Sequence, residues 1–367
     1  MKRKTNVPAS EDDLVLSLKE LYEKRGYTSY KMSKFEEYDL YVQNKNFLVS
    51  DSILTFTDTS GRLMALKPDV TLSIVRGSKQ GENRKVYYNE KVYRPDKNDR
   101  SFKEITQIGL EDIGNIGPYE ICEVLDLAEK SLILTGGRAM LDVSDLGLLS
   151  YCLDDLTSDR DLQEKLLSFV SQKNPHDFLA LCRESGLSEE KAEKAATLCT
   201  LEGTPAQVFP VLSRLYKDAG WKEKVGAFKS ILSSAELTRV RIDFSVTGDR
   251  NYYNGIVFRG FLDGVPESVL SGGQYDRLME KMGKRMSALG FALYLNVIER
   301  LYARKEKNDV DVLLLYDDKC EVKAVRKVVE ELTGGGKKVL AAKEIPQALR
   351  AGRILDLRAK RGKGGKK

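Results

Sequence analysis

Apolar residues recur along this chain at two spacings, one typical of helices and one of strands. Over residues 10–25 they return every three or four positions behind Ser10, which predicts a capped amphipathic helix. Residues 53–66 alternate on either side of a polar turn, which predicts a β-hairpin. Two further strands are predicted over 84–94 and 102–113, with a charged loop between them. The first third of the chain is therefore predicted to be mainly β-structure behind one helix.

The strand predicted over 102–113 carries polar residues in its apolar middle. Because side chains alternate along a strand, Gln107, Gly109 and Glu111 share one face. Such a face is compatible with simple exposure to solvent, but the apolar strands around it favour a pocket. The glycine would allow a ligand or a neighbouring chain to approach the sheet closely.

The rest of the chain is predicted to be helical first, then β-rich, and finally a mixture of helices and strands. An amphipathic helix covers 118–134, and helical spacing then dominates 149–237, which we interpret as an inserted helical module. Strands resume after this module and include a hairpin that turns at Asp263–Gly264. Beyond a charged linker, residues 309–357 are predicted to form a small β-α-β-α unit whose last helix covers 345–352.

Composition narrows the class of protein. The chain has 367 residues, of which 41% are hydrophobic, and this allows a sizeable core in two or three domains. It contains no apolar run long enough to cross a membrane and no secretory leader pattern, so we expect a soluble, cytoplasmic protein. Five scattered cysteines lack metal-site or disulfide spacing, and the single histidine, His176, excludes a two-histidine metal motif. Neither a metal nor a cofactor is predicted.

The net charge of +5 comes from the end of the chain. The last ten residues, RAKRGKGGKK, carry six basic side chains and no acidic one, so removing their +6 leaves −1 for the other 357 residues. We therefore expect a disordered basic tail over 358–367 and no nucleic-acid-binding surface on the folded body. Nucleic-acid binding by the tail itself stays open.

Five short motifs, taken in order, resemble the catalytic core of class II histidyl-tRNA synthetases. They are LKPDVT, YR followed by SFKEITQIGLEDIG, NYYNGIVF, SGGQYD and GFALYL. The resemblance implies an α+β fold in which a class II aminoacyl-tRNA synthetase-like antiparallel sheet is flanked by helices. It implies that this core covers 1–148 and 238–304, with the helical insertion at 149–237 and a small C-terminal α/β domain at 309–357.

Two departures from the synthetase motifs fall where those enzymes hold the nucleotide. In the family, motif 3 ends with an arginine that holds the ATP phosphates, and Val297 stands at its position here. The histidine-specific motif of the family begins with a catalytic arginine, and Gly248 stands there. Arg250, two residues further on, would replace it only with a shifted strand register. Because charge-assisted contacts contribute about 1.5–3 kcal/mol each, the resemblance implies that amino-acid activation is lost.

The positions that bind histidine in the synthetases are better matched. Asp69 stands where the family has a glutamate, and Arg94 is also the motif 2 arginine. Carboxylates suit the ammonium and imidazole N–H groups of histidine, while Thr71 and Gln107 add hydrogen bonds. The resemblance implies a histidine or effector site made of Asp69, Thr71, Arg94, Gln107, Glu111, Tyr252 and Tyr253.

The chain matches the amino-acid-binding positions of the synthetases but not their nucleotide-binding positions. In this combination it resembles a synthetase-like family, the regulatory subunits of ATP phosphoribosyltransferase. That resemblance implies a non-catalytic chain needed for the first step of histidine biosynthesis and for its feedback regulation by histidine. It also implies a hetero-octamer of four such chains with four short-form catalytic subunits, self-association as a dimer, and histidine as the candidate effector.

Two alternatives remain open from the residues. A divergent histidyl-tRNA synthetase, or another amino-acid-activating ligase, would have to bind ATP without the motif 3 arginine. An RNA-binding relative would use the basic tail.

Overall fold

The computed structural model describes residues 10–43, 52–96, 99, 101–248, 252–302 and 308–358. The chain divides into two compact units, Met1–Glu299 and Arg300–Lys367. Within the described ranges, every helix is too short or too polar to cross a membrane. The finer division of the first unit into a core and a helical insertion stays a prediction, and the tail from 359 onward lies outside the described residues.

Side-chain caps determine where several helices begin. Ser10 Oγ accepts a hydrogen bond from Asp13 N at 3.2 Å, which confirms the predicted capped first helix. Asp145 and Asp159 cap later helices in the same way, each satisfying backbone N–H groups that have no partner inside the helix. The described helices are α1 (Glu11–Glu23), α2 (Tyr38–Val42), α3 (Thr71–Gly77), α4 (Pro118–Leu134), α5 (Leu146–Leu156), α6 (Arg160–Ser171), α7 (Pro175–Glu184), α8 (Glu189–Thr200), α9 (Pro205–Leu215), α10 (Ala219–Ser234), α11 (Asp276–Lys281), α12 (Leu295–Tyr302) and α13 (Val322–Gly334).

The two longest strands of the described chain match predicted segments. Both long central strands fall within a residue or two of their predicted bounds. The strands are β1 (Thr28–Ser29), β2 (Phe35–Glu37), β3 (Thr55–Thr57), β4 (Leu63–Leu66), β5 (Arg84–Pro95), β6 (Phe102–Gly114), β7 (Ala139–Asp145), β8 (Glu202–Gly203), β9 (Val240–Asp243), β10 (Ile256–Leu262), β11 (Leu270–Gln274), β12 (Ser287–Tyr294), β13 (Val310–Leu315), β14 (Val339–Ala342) and β15 (Ala351–Asp356).

A nine-stranded sheet organises the first unit, in the order β1-β5-β6-β12-β11-β10-β7-β9-β8. Its pairings are antiparallel except for β1 with β5 and β7 with β9, which are parallel. This sheet with its flanking helices confirms the predicted α+β architecture. The hairpin predicted over 53–66 and the one predicted to turn at Asp263–Gly264 are also present, as β3–β4 and β10–β11.

The alternation along β6 sorts its side chains as predicted. Glu111 and Gln107 face one side of the sheet, where both are buried. Asp112 lies on the opposite side, where its Oδ2 is 3.5 Å from Lys85 Nζ. The polar face of this strand therefore forms a pocket and does not meet open solvent.

The region from α5 to α10 is helical, as predicted, apart from one short strand. Trp221 is fully buried in it and donates its ring N–H to Leu212 O at 2.7 Å. The two-residue strand β8 pairs with β9 and joins the edge of the large sheet. No alternation reveals so short a strand in the sequence.

The second unit differs from its prediction at one element. The prediction of a helix over 345–352 is wrong. This segment contains turns and then the start of β15, which pairs with β13 in parallel. A helix of eight residues is only marginally stable without strong packing, and Pro346 has no backbone N–H to donate to a helical hydrogen bond. The unit is a three-stranded parallel sheet, β14-β13-β15, with α13 connecting β13 to β14.

Candidate functional site

The seven site residues that the resemblance implied line one cavity in the first unit. The cavity has a volume of about 510 Å³ and lies on the face of the large sheet that carries the polar residues of β6. The structure therefore brings together residues from four separate stretches of sequence: Asp69, Thr71, Arg94, Gln107, Glu111, Tyr252 and Tyr253.

Glu111 lies at the base of this cavity and is only 2% exposed. Thr71 Oγ1 donates to its Oε1 at 2.7 Å, and the hydroxyl of Tyr275 donates to its Oε2 at 2.6 Å. Burial raises the pKa of Glu111 to about 8, because these two hydroxyls only partly offset the cost of desolvating the charge. The carboxyl is therefore positioned to gain its charge when a cationic group is placed against it.

Two glycines make room for this carboxyl and its strand. Gly290 lies opposite Glu111 in the ladder between β12 and β6, and Gly109 lies opposite Ala292. A Cβ on Gly109 would come within 2.1 Å of Phe291 O, so β6 and β12 approach here more closely than a side chain permits. The glycine in the middle of this strand is thus explained by packing between strands.

Asp69 and Arg94 form a second polar group at the cavity wall. Arg94 Nη2 lies 3.2 Å from Asp69 Oδ2, and Arg94 Nε donates to Pro68 O at 2.6 Å. The other oxygen of Asp69 accepts from Leu72 N at 2.8 Å at the start of α3. The charge of Arg94 is therefore already paired with Asp69, and both side chains are fixed.

A buried ion pair supports the segment that carries Asp69. Lys67 is fully buried, and its Nζ lies 2.7 Å from Glu90 Oε2. The backbone of Lys67 also accepts from Tyr93 N at 2.9 Å. These contacts attach the end of the β3–β4 hairpin to β5, so Asp69 is held in place from both of its sides.

Tyrosine rings form the apolar wall of the cavity. The rings of Tyr252 and Tyr253 are 4.7 Å apart at their centroids, and those of Tyr252 and Tyr275 are 5.6 Å apart. Burial raises the pKa of each of these hydroxyls well above its ordinary value, so all three stay neutral. The wall suits a flat ring of similar size stacked against it.

The two positions that depart from the synthetase motifs supply no cation here. Gly248 has a φ of +58°, and a Cβ on it would lie 2.7 Å from Cδ2 of Tyr253. Its backbone conformation and the neighbouring ring both favour glycine, so this loop is built for the absence of a side chain. Val297 lies in the first turn of α12 and does not line the cavity. Arg250 lies outside the described residues.

Sequence reasoning missed several side chains that line the cavity. Tyr275 was quoted only as part of SGGQYD, yet it donates to Glu111. Ser271 and Tyr294 also line the cavity, with their hydroxyl oxygens 2.6 Å apart, and Arg259 lies next to them on β10. Alternation could have placed Arg259 and Val257 on one face of a strand. It could not have told which face of the sheet that was.

The arrangement suits recognition of a small polar molecule. Carboxyl groups, fixed hydroxyls and an amide converge on one cavity beside an aromatic wall. Such a set distinguishes an ammonium or a ring N–H from an apolar group through hydrogen bonds that fail if the donor is missing.

A largely antiparallel sheet flanked by helices, with a ligand-sized cavity on one face, is the arrangement expected of a class II aminoacyl-tRNA synthetase-like protein. The family model described as Histidyl-tRNA synthetase matches residues 8–298, most of the chain. The chain therefore belongs to the histidyl-tRNA synthetase family.

Several relatives of the chain carry the name of one particular protein. The ATP phosphoribosyltransferase regulatory subunit of Acetivibrio thermocellus is 26% identical over 316 residues, which cover 82% of this chain and 75% of that protein. Other relatives that are 23–28% identical carry the same name.

Solved structures share the fold. One from Bacillus halodurans C, described as an ATP phosphoribosyltransferase regulatory subunit/histidyl-tRNA synthetase, is 20% identical with a TM-score of 0.78, covering 94% of this chain and 93% of its own. The ATP phosphoribosyl transferase (HisG:HisZ) complex from Thermotoga maritima contains a chain that is 18% identical with a TM-score of 0.60, covering 78% of this chain and 97% of its own.

Proposed function

We propose that this chain is a non-catalytic regulatory subunit of ATP phosphoribosyltransferase and that its cavity binds histidine. As such it would be required for the first step of histidine biosynthesis and for the feedback regulation of that step by histidine. The names of its relatives support the first part of this proposal. The make-up of the cavity supports the second.

The observation that carries the proposal is that the described residues supply the amino-acid side of a synthetase-like site but no cation at positions 248 and 297, where the resemblance places two arginines. Seven residues suited to an amino acid line one cavity. At the positions of the two nucleotide-binding arginines, Gly248 is locked into a conformation that favours glycine and Val297 lies away from the cavity. A protein that recognises an amino acid without activating it acts as a sensor.

Histidine can be matched to the cavity group by group. Its imidazole N–H would donate to Glu111, with the ring against the tyrosine wall of Tyr252 and Tyr253. Its ammonium group would lie near Asp69, Thr71 and Gln107. Each of these pairings joins a donor of the ligand to an acceptor held by the protein, which is what selective recognition of a polar ligand needs.

The partner in this proposal is the short-form catalytic subunit, in a hetero-octamer of four plus four chains in the cytoplasm. The Thermotoga maritima ATP phosphoribosyl transferase (HisG:HisZ) complex supports a partnership with a catalytic subunit, and the four-plus-four stoichiometry is part of the proposal. Self-association of this chain as a dimer would form part of it. The exposed ring pair of Phe35 and Phe56, 5.4 Å apart and nearly perpendicular, offers an apolar surface for that contact.

Exchange of labelled pyrophosphate into ATP in the presence of histidine tests the absence of catalysis. We expect no exchange above background, because transition-state charge would lack its cations. A histidyl-tRNA synthetase assayed in parallel serves as the positive control. Histidine-dependent exchange by this chain would instead establish the alternative, a divergent amino-acid-activating ligase.

A further inference from the structure

A row of side chains crosses the large sheet on the face that carries the cavity. In the strand registers, Gly109 lies opposite Ala292, Ala292 opposite Ser271, and Ser271 opposite Arg259. Residues paired directly across neighbouring strands point to the same face of a sheet. Arg259 therefore lies on the cavity face, on the far side of the cavity from β6, and its side chain lines the cavity.

The positive charge of Arg259 is not neutralised by the described residues around it. Asp142 lies directly opposite Arg259 on β7, but Arg241 on β9 already donates to both of its oxygens, at 2.9 and 2.6 Å. Within the described ranges, no carboxylate oxygen lies within ion-pairing distance of the Arg259 guanidinium. Arg94, which also lines the cavity, is paired with Asp69.

Hydroxyl groups accompany Arg259 at this end of the cavity. Ser271 Oγ and the hydroxyl of Tyr294 are 2.6 Å apart, and each can act as donor. Ser268 also lines the cavity here. Burial raises the pKa of the Tyr253 hydroxyl, and the charge of Arg259 opposes that rise, as expected for two groups that line the same cavity. A guanidinium beside hydroxyl donors is a combination that binds carboxylates.

The cavity is therefore polarised along its length. Its β6 end carries Glu111 and the Asp69–Arg94 pair, whereas its β10 end carries Arg259 and hydroxyl donors. Strands spaced by about 4.8 Å put the Cα atoms of β6 and β10 roughly 14 Å apart, since two strands lie between them. The cavity that both residues line has a volume of about 510 Å³, which is enough for one small zwitterion.

We propose that Arg259 binds the α-carboxylate of the amino acid whose other polar groups meet Glu111 and Asp69. This inference rests on the proposed binding of histidine and adds the group that selects a free amino acid over its decarboxylated or reduced analogues. Arg259 would thus supply, from a different strand, a cation on the side of the cavity where Gly248 supplies none.

Calorimetric titration of the full chain with L-histidine and with L-histidinol tests this inference. Histidinol keeps the ammonium and imidazole groups but has a hydroxymethyl group in place of the carboxylate. We expect the wild-type chain to bind histidine more tightly than histidinol, and Arg259→Gln to weaken histidine binding by about tenfold to a hundredfold. Histidinol binding should be unchanged in Arg259→Gln, which also verifies that the variant is folded.

Two further variants sharpen the comparison. Arg259→Lys retains the charge but not the two-pronged geometry, so it should recover part of the lost affinity for histidine. Arg214→Gln, an exposed arginine on α9 away from the cavity, should bind both ligands as the wild type does.

The possible results separate this inference from the function on which it rests. If the wild type binds histidine and Arg259→Gln binds it equally well, the role of Arg259 is overturned while histidine binding stands. Equal affinity of the wild type for histidine and histidinol would overturn it too. If the wild type binds neither ligand, the proposed effector site is wrong and the role of Arg259 falls with it.

Discussion

Gly290 lies directly opposite Glu111, and a Cβ on Gly290 would come within 1.8 Å of Glu111 Oε2. The carboxyl thus occupies the space that any other residue at position 290 would fill. It can do so because β12 has no side chain there, so the glycine of GFALYL is part of how the cavity is built. In this chain the motif therefore helps to shape the pocket.

Gly290→Ala should therefore move the Glu111 carboxyl and destabilise the first unit. Forcing an extra methyl group into a close-packed region costs about 1–3 kcal/mol, and we expect a loss of that size together with weaker histidine binding. Urea denaturation and calorimetry measure the two effects.

Gly226→Ala is a suitable control, since nothing lies within 4 Å of its added Cβ on the exposed side of α10. It should stabilise the helix by up to about 1 kcal/mol. Equal stability of the two variants would refute the steric argument.

The stability of the protein should depend on pH through Glu111. Its pKa is raised from the ordinary 4.5 to about 8 by burial, so between these values the unfolded chain has lost a proton that the folded chain keeps. The stabilisation is complete below pH 4.5, and stability falls as pH rises toward 8, by at most roughly 1.4 kcal/mol per pH unit from this group. Glu111→Gln does not titrate, so its stability relative to the wild type should rise over this window. Denaturant unfolding curves of both proteins at pH 5, 6.5 and 8 check this. A difference in free energy of unfolding between the variant and the wild type that stays constant with pH would contradict it.

Glu111→Ala should weaken histidine binding by about 1–3 kcal/mol, because the ligand's N–H is left without its buried acceptor. Isothermal calorimetry at a fixed pH measures the change. Glu104→Ala is the matched control, an exposed glutamate on the same strand that does not line the cavity. An affinity that stays the same in Glu111→Ala would mean that the effector binds elsewhere, such as on the catalytic subunit.

The strands and the polar face of the site followed from the sequence because alternation reports on them directly. Gln107 and Glu111 lie two strand repeats apart, so one periodic pattern placed both on the same face, and the apolar strands around them favoured a pocket over solvent. The same pattern could not reveal Tyr275 or Arg259, because their positions depend on which face of the sheet the second hairpin turns inward. That choice is made by strand register between distant segments, β10 with β7 and β11 with β12.

The incorrect prediction of a helix over 345–352 arose because strand pairing with a distant segment outweighed the local helix preference. Residues 345–352 contain good helix formers, but β15 begins at Ala351 and pairs with β13 through Val310 and its neighbours. Gly352 suits this pairing, since a Cβ there would come within 3.0 Å of Asp311 O. The resemblance to the synthetases, and not periodicity, brought Asp69, Thr71 and Arg94 into the predicted site.

The exposed pair of Phe35 and Phe56 should mediate self-association. Replacing Phe35 by Ser removes half of the ring contact and adds a polar group, so the dimer should dissociate at concentrations where the wild type is dimeric. Sedimentation velocity across a dilution series measures this. Leu16→Ser changes an exposed apolar residue on α1 and should leave the dimer intact. Loss of the dimer in both variants, or in neither, would argue against a specific role for this surface.

The most direct test of the whole account is the activity of the short-form ATP phosphoribosyltransferase measured with and without this chain, both purified from the same organism. We predict that the two proteins elute as one complex, that enzyme activity rises when the chain is added, and that histidine then lowers it. The typical free energy of coupling between two such sites, 1–3 kcal/mol, corresponds to roughly a 5- to 150-fold effect. If no complex forms and the activity of the catalytic chain is the same with and without this protein, the proposed regulatory role is wrong.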